Sequence, residues 1–245
     1  MIISIVNQST VKSDDEVQQA IRVVNRQIAE DVAPYWGLTA TLRLDGTGRG
    51  GAIRDVRGDA LLRLRDEVQS DHDVGTAGVP EGVVFTQLEQ LVKKSVPWLT
   101  WTVALSHEAI ELLLDPWVNT LVRGPHPESK RSVFYYREVC DPVQSEIYTL
   151  DGLPVSNFVL PAYYGPGTKK NSDTNFLGTP MRPFGFLKQG NVGFWDPQKG
   201  ARGGYVMWPA FGSDDVHHAV VKYKKRMNAA RIVRYSQHGE DGRRR

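Results

Sequence analysis

The stretch from Trp98 to Leu114 constrains this chain more than any other. It is mostly apolar, holds neither Gly nor Pro, and is closed by Asp115-Pro116, which predicts a helix. Val103, Leu105, Ala109, Ile110, Leu112, Leu113 and Leu114 surround Ser106, His107, Glu108 and Glu111. A helix apolar on nearly every side is buried on nearly every side. Successive helical residues turn by about 100°, so His107 and Glu111 share a face, with Glu108 and Asp115 close in angle. Three carboxylates and an imidazole are therefore expected in or beside a core, where an uncompensated charge costs on the order of several kcal/mol.

The local sequence has no cation to offset that cost, since no Lys or Arg occurs between Lys94 and Arg123. A divalent metal supplies one. In the helical motif H-E-x-x-H, the residues at i and i+4 reach one zinc ion and the intervening Glu serves as base. His107-Glu108-Ala109-Ile110-Glu111 keeps the first two positions and replaces the second His by Glu, an acceptable zinc ligand. His107 and Glu111 are thus the expected metal ligands and Glu108 the expected base.

A third ligand must come from elsewhere. Asp115 lies two turns from His107, roughly 12 Å along a straight helix, so it is expected to support the site or end the helix. Tyr135-Tyr136-Arg137-Glu138-Val139-Cys140-Asp141 offers better candidates. Glu138 is expected as ligand and Asp141 as its support, with Tyr135 or Tyr136 donating to a developing oxyanion. The competing reading makes the same helix purely structural: its carboxylates would pair with Arg123, Arg131 or Arg137, and His107 would be a hydrogen-bonded core histidine.

Composition narrows the alternatives. Across 245 residues, 30 Lys and Arg face 28 Asp and Glu, for a formal charge of +2, so no strong field steers the chain to nucleic acid or an anionic membrane. The single cysteine, Cys140, excludes both an internal disulfide and a four-thiolate zinc site. The apolar stretch is broken by His107, Glu108, Glu111 and Asp115, which argues against a membrane span. The opening Met1-Ile-Ile-Ser-Ile-Val-Asn has no basic region typical of a secretion signal. A cytoplasmic setting, or export by a route without a signal peptide, is the expectation.

Around the central helix, Ile2 to Val6 reads as a buried strand. Ser13-Asp14-Asp15-Glu16 matches a capping box, followed by the stripe Val17, Ile21, Val24 and Ile28. That helix should end near Pro34. Strands are expected at Thr39 to Leu44, Ala60 to Leu64, Val83 to Thr86, Val133 to Val139, Glu146 to Leu150 and Val155 to Leu160, with a turn at Asp151-Gly152. Asp45 to Gly51 and Gly165 to Asn175 read as loops, and Phe184 to Phe211 takes no clear pattern. A last helix from Ser213 is basic over Lys222 to Arg234. His217-His218, Asp71-His72-Asp73 and Arg243-Arg244-Arg245 read as solvated groups.

The run Ser106-His107-Glu108-x-x-Glu111-x-x-x-Asp115-Pro116 is similar to the S-H-E-x-x-E-x-x-x-D-P helix of plant exordium-like (phosphate-induced) proteins and of related uncharacterised bacterial and phage proteins. Glu138-Val139-Cys140-Asp141 resembles their downstream Glu-x-x-Asp near a Cys. Arg137 stands where those sequences usually carry Gly. The resemblance covers Met1 to about Phe158 and implies a zincin-like metallopeptidase fold: a strand, a backing helix, a mixed sheet with an antiparallel edge, then the metal helix.

Together these readings predict an α+β chain, with a zincin-like metal-binding domain over 1–160 and an irregular C-terminal extension over 161–245. The expected function is zinc-dependent hydrolysis of a polypeptide, which strand addition along Val83 to Thr86 would hold. The extension would offer a contact for an assembly partner. The alternative is a non-catalytic structural or assembly protein, of phage or injection-machine type, that retains the helix as a relic.

Overall fold

The computed structural model describes residues 1–47, 57–66, 79–87, 97–165, 173–199 and 205–208. Its first layer is a four-stranded sheet in the order β2-β1-β3-β4. The strands are β1 (Ile2–Asn7), β2 (Thr41–Thr47), β3 (Ala60–Arg65) and β4 (Glu81–Phe85). Ile3 and Ile5 on β1, Leu42 on β2, Ala60, Leu62 and Leu64 on β3, and Val84 on β4 belong to one buried core. Alternate residues of a strand share a face, so these define the core side of the sheet.

Two helices complete that core. Helix α1 (Asp14–Gln27) starts at Ser13, whose side chain accepts from the Glu16 N–H while Glu16 reaches back to the Ser13 N–H. This is the expected capping box. Val17, Ile21, Val24 and Ile28 are all buried against the sheet. The helical path does not stop near Pro34. A π-turn over Ile28–Val32 leads into the short helix α2 (Ala33–Trp36), with Pro34 in its first turn, where a missing N–H costs nothing. Gly37, at φ 66°, ends it in the left-handed region.

Helix α3 (Trp101–Leu114) is the central helix, and it contacts β4, the strand Leu153–Ser156 and α1. Every residue from Thr102 to Leu114 except Ala104 is buried. The sheet itself departs from the mixed arrangement the resemblance implies. Among the described residues it is parallel throughout, and its edge strand β4 runs parallel to β3. Residue pattern marks a strand but not its direction, which is set by connections that carry the chain back to its starting end, as α1 does between β1 and β2.

A second, antiparallel sheet has the order β10-β9-β6-β5, from β5 (Leu121–Pro125), β6 (Ser132–Tyr136), β9 (Val192–Trp195) and β10 (Tyr205–Trp208). The hairpin of β7 (Ile147–Leu150) and β8 (Leu153–Ser156) turns through Asp151 and Gly152, both at positive φ, the two-residue geometry that favours Asp-Gly. Strand β9 pairs with β6, and Tyr163, Phe184 and Phe194 join the same core as Ile3 and Leu105. Residues on either side of 160 thus share one sheet and one core. The fold is mixed α and β, and none of its described helices is long and apolar enough to cross a membrane. The final helix expected from Ser213, with His217-His218 and the basic segments, lies outside the described residues, as does Asp71-His72-Asp73.

Candidate metal centre

Helix α3 is held in place by polar side chains as well as apolar ones. The Ser106 hydroxyl donates to the Val103 carbonyl and accepts the Ser156 N–H at 2.8 Å, and the Thr102 hydroxyl donates to the Pro154 carbonyl at 2.9 Å. These bonds fix the helix against β8. They leave His107, Glu108 and Glu111 buried, at 7%, 7% and 2% exposure. The burial expected from sequence is therefore present.

The second half of the site comes from the segment after β6. Beyond Tyr136 the chain leaves the sheet, and Asp141–Val143 forms a 3-10 turn. The Val139 carbonyl accepts from the Val159 N–H, the Asp141 carbonyl from the Asn191 N–H, and the Pro142 carbonyl from the Leu187 N–H. A Cβ on Gly190 would stand 2.2 Å from the Pro142 oxygen, so only glycine lets the 187–191 segment close over this turn. Sequence reasoning missed that clamp, because a lone glycine in a polar loop gives no sign of what lies against it.

So held, the segment faces α3. His107 Nε2 lies 3.2 Å from Glu111 Oε1 and 3.3 Å from Asp141 Oδ1. Donor atoms of His107, Glu111 and Cys140 lie within 4.8 Å of one another, as do those of Glu111, Glu138 and Asp141. The Cys140 N–H also donates to Glu111 Oε1 at 3.2 Å. All five side chains are buried. Ligand atoms on a tetrahedral zinc, at bonds of roughly 2.0 to 2.3 Å, stand about 3.4 Å apart. The measured His–carboxylate spacings fit that edge, and the donor set fits the chemistry of zinc.

The expected residues separate once placed. Asp141, expected as a support, approaches His107 directly; Glu138 groups with Glu111 and Asp141. Asp115 serves the helix end. Its carboxylate accepts from the N–H groups of Asn119 and Thr120, and burial raises its pKa against the lowering effect of those bonds and of Arg137. Tyr135 packs in the core against Phe184 and Phe194, where its hydroxyl proton is given to the Pro125 carbonyl at 2.7 Å and burial pushes its pKa up to about 12, an arrangement that does not favour the expected oxyanion role. Tyr136 remains: burial raises its pKa, and the charges of Asp115 and Glu138 push it the same way. Tyr164, which the sequence did not flag, is buried with its pKa raised by burial, Tyr163, Glu138 and Glu111 in that order.

Of the arginines in the competing reading, Arg131 pairs with Asp196 and Arg123 is exposed. Arg137 donates to the Leu114 carbonyl at 2.5 Å and to Thr120. Its charge lowers the Asp115 pKa, less than the hydrogen bonds from Asn119 and Thr120 do. The strand expected to hold a peptide falls on β4, at the edge of the described sheet, with Val83, Val84, Phe85 and Thr86 exposed by 3%, 0%, 5% and 7%. No protein-family model matches the chain, and neither does any curated protein or solved structure.

Proposed function

We propose that α3 and the 138–141 segment form a zinc centre and that the chain is a zinc-dependent peptidase. The reading rests on one observation: His107 and Glu111, one turn apart on a buried helix, meet Glu138, Cys140 and Asp141 from a segment that separate contacts hold in place. The likeness of the Ser106 to Pro116 run to zincin-like sequences supports the peptidase class. A zinc ion held there supplies a Lewis acid that acidifies a water and polarises a carbonyl.

The chain's own groups do the rest. Glu108, next to His107 on the same buried helix, takes the proton from the attacking water and passes it to the leaving amine. Tyr136, kept protonated by its raised pKa, donates to the oxygen on which negative charge develops. His107, Glu111 and the segment around Asp141 hold the geometry, and the clamp at Gly190 keeps that segment from shifting.

The test is metal analysis of chain purified without chelator, paired with a peptide-library assay. Bound zinc is expected at one per chain, with cleavage that falls about 10²- to 10⁴-fold in Glu108→Gln while zinc is retained. Zinc without cleavage of any library would overturn the peptidase assignment and favour a structural role. A chain that holds no zinc overturns both parts.

A further inference from the structure

We infer that the third protein ligand is the Cys140 thiolate, giving a His-Glu-Cys centre in place of one completed by Glu138 or Asp141. The inference rests on the zinc reading above and deepens it. Cys140 is fully buried, and its sulfur lies within 4.8 Å of both the His107 and the Glu111 donor atoms. The same residue fixes one of those partners, because its N–H holds Glu111 Oε1 at 3.2 Å. One backbone position therefore both orients a ligand and supplies another.

The sole cysteine in 245 residues packs in the core and stands beside an imidazole and a carboxylate. Thiolate, imidazole and one carboxylate suit zinc and cobalt, whereas calcium, magnesium and manganese prefer oxygen throughout. The thiol proton leaves to solvent as the metal–sulfur bond forms. Three protein ligands leave a fourth position for water, as catalytic zinc sites require. Asp141 Oδ1 stands 3.3 Å from His107 Nε2, a spacing that a metal ligand also takes, so Cys140→Ser and Asp141→Asn decide between the two.

X-ray absorption at the zinc edge of the full wild-type chain reads this directly. One sulfur neighbour at about 2.3 Å is expected beside nitrogen and oxygen at about 2.0 to 2.2 Å. Cobalt loaded into the same chain should show an intense near-ultraviolet thiolate-to-metal band, lost in Cys140→Ser and kept in Asp141→Asn. Millimolar magnesium or calcium should not displace the cobalt. Zinc surrounded by nitrogen and oxygen only, or a cobalt spectrum without the thiolate band, overturns the cysteine assignment and leaves the zinc centre standing. A wild-type chain that takes up neither metal overturns the zinc centre itself. The absorption measurement needs no variant, so a Cys140→Ser chain that fails to fold leaves the test intact.

Discussion

Asp66, partly exposed, and Glu111, buried, are carboxylates that the chain surrounds in different ways. Asp66, at the end of β3, accepts from the hydroxyls of Ser9, Thr10 and Thr86 and from the Thr10 N–H. Burial alone would raise its pKa, but these donors outweigh it and hold the carboxyl at about 2. Glu111 accepts from the Cys140 N–H and shares its surroundings with an imidazole, a thiol and two further carboxylates. Donor-rich surroundings stabilise a charge without help. Ligand-rich surroundings stabilise one when a cation joins them.

The contrast breaks most visibly at the metal. Glu111→Gln keeps the shape of the side chain and removes its charge, so zinc per chain should fall from one to background after gel filtration. Asp66→Asn should retain zinc in full. Zinc should also raise the melting temperature of the wild type, since a ligand at a thousand times its Kd adds about 4 kcal/mol, and should leave that of Glu111→Gln unmoved. Equal zinc retention by both variants would erase the distinction between the two sites.

This distinction was only half legible in the sequence. Helix α1 announces itself through Ser13, Glu16 and a periodic stripe, all local signals. The α3 half of the site was equally plain, because His107, Glu108 and Glu111 stand in a run that has no solvent face. The other half depends on residues 27 to 34 positions away along the chain, and spacing alone could not rank Glu138 above Asp141 or bring Cys140 in. Tyr135 and Tyr136 are neighbours on one strand, so they face opposite sides, and nothing local says which side is the core. The strands β9 and β10 were illegible for a related reason: they are short, lie among Gly and aromatic residues, and join their sheet only because β9 finds its partner far back in sequence at β6. At Asp66 the signal was missing because Ser9, Thr10 and Thr86 come from two other strand ends and meet only in the folded sheet.

A smaller effect sharpens the comparison from the Asp66 side. The folded pKa of about 2 lies below the ordinary value of 3.8, so the group contributes stability that is present above about pH 4 and is lost as pH falls toward 2. At about 1.4 kcal/mol per pKa unit the shift sets an upper bound of about 2.5 kcal/mol at neutral pH, which solvent around the partly exposed carboxylate screens to on the order of 2 kcal/mol or less. Asp66→Asn should therefore lower urea-unfolding stability by up to about 2 kcal/mol at pH 7, and the gap to wild type should narrow below pH 4. A gap that stays constant down to pH 2.5 would mean that Asp66 acts through shape and not charge.

The smallest effect uses the same donor chemistry where water competes. Ser13 and Glu16 exchange hydrogen bonds at the start of α1, but both are exposed, so water replaces much of what is lost. Ser13→Ala should cost about 1 kcal/mol, the usual value for an N-cap, and less than Asp66→Asn by urea unfolding at pH 7. Glu16 has its pKa lowered first by the Ser13 N–H and then by the Ser13 hydroxyl, so the backbone half of the box survives the substitution and bounds the loss. A Ser13→Ala cost equal to or above that of Asp66→Asn would show that burial does not set the worth of these hydrogen bonds in this chain.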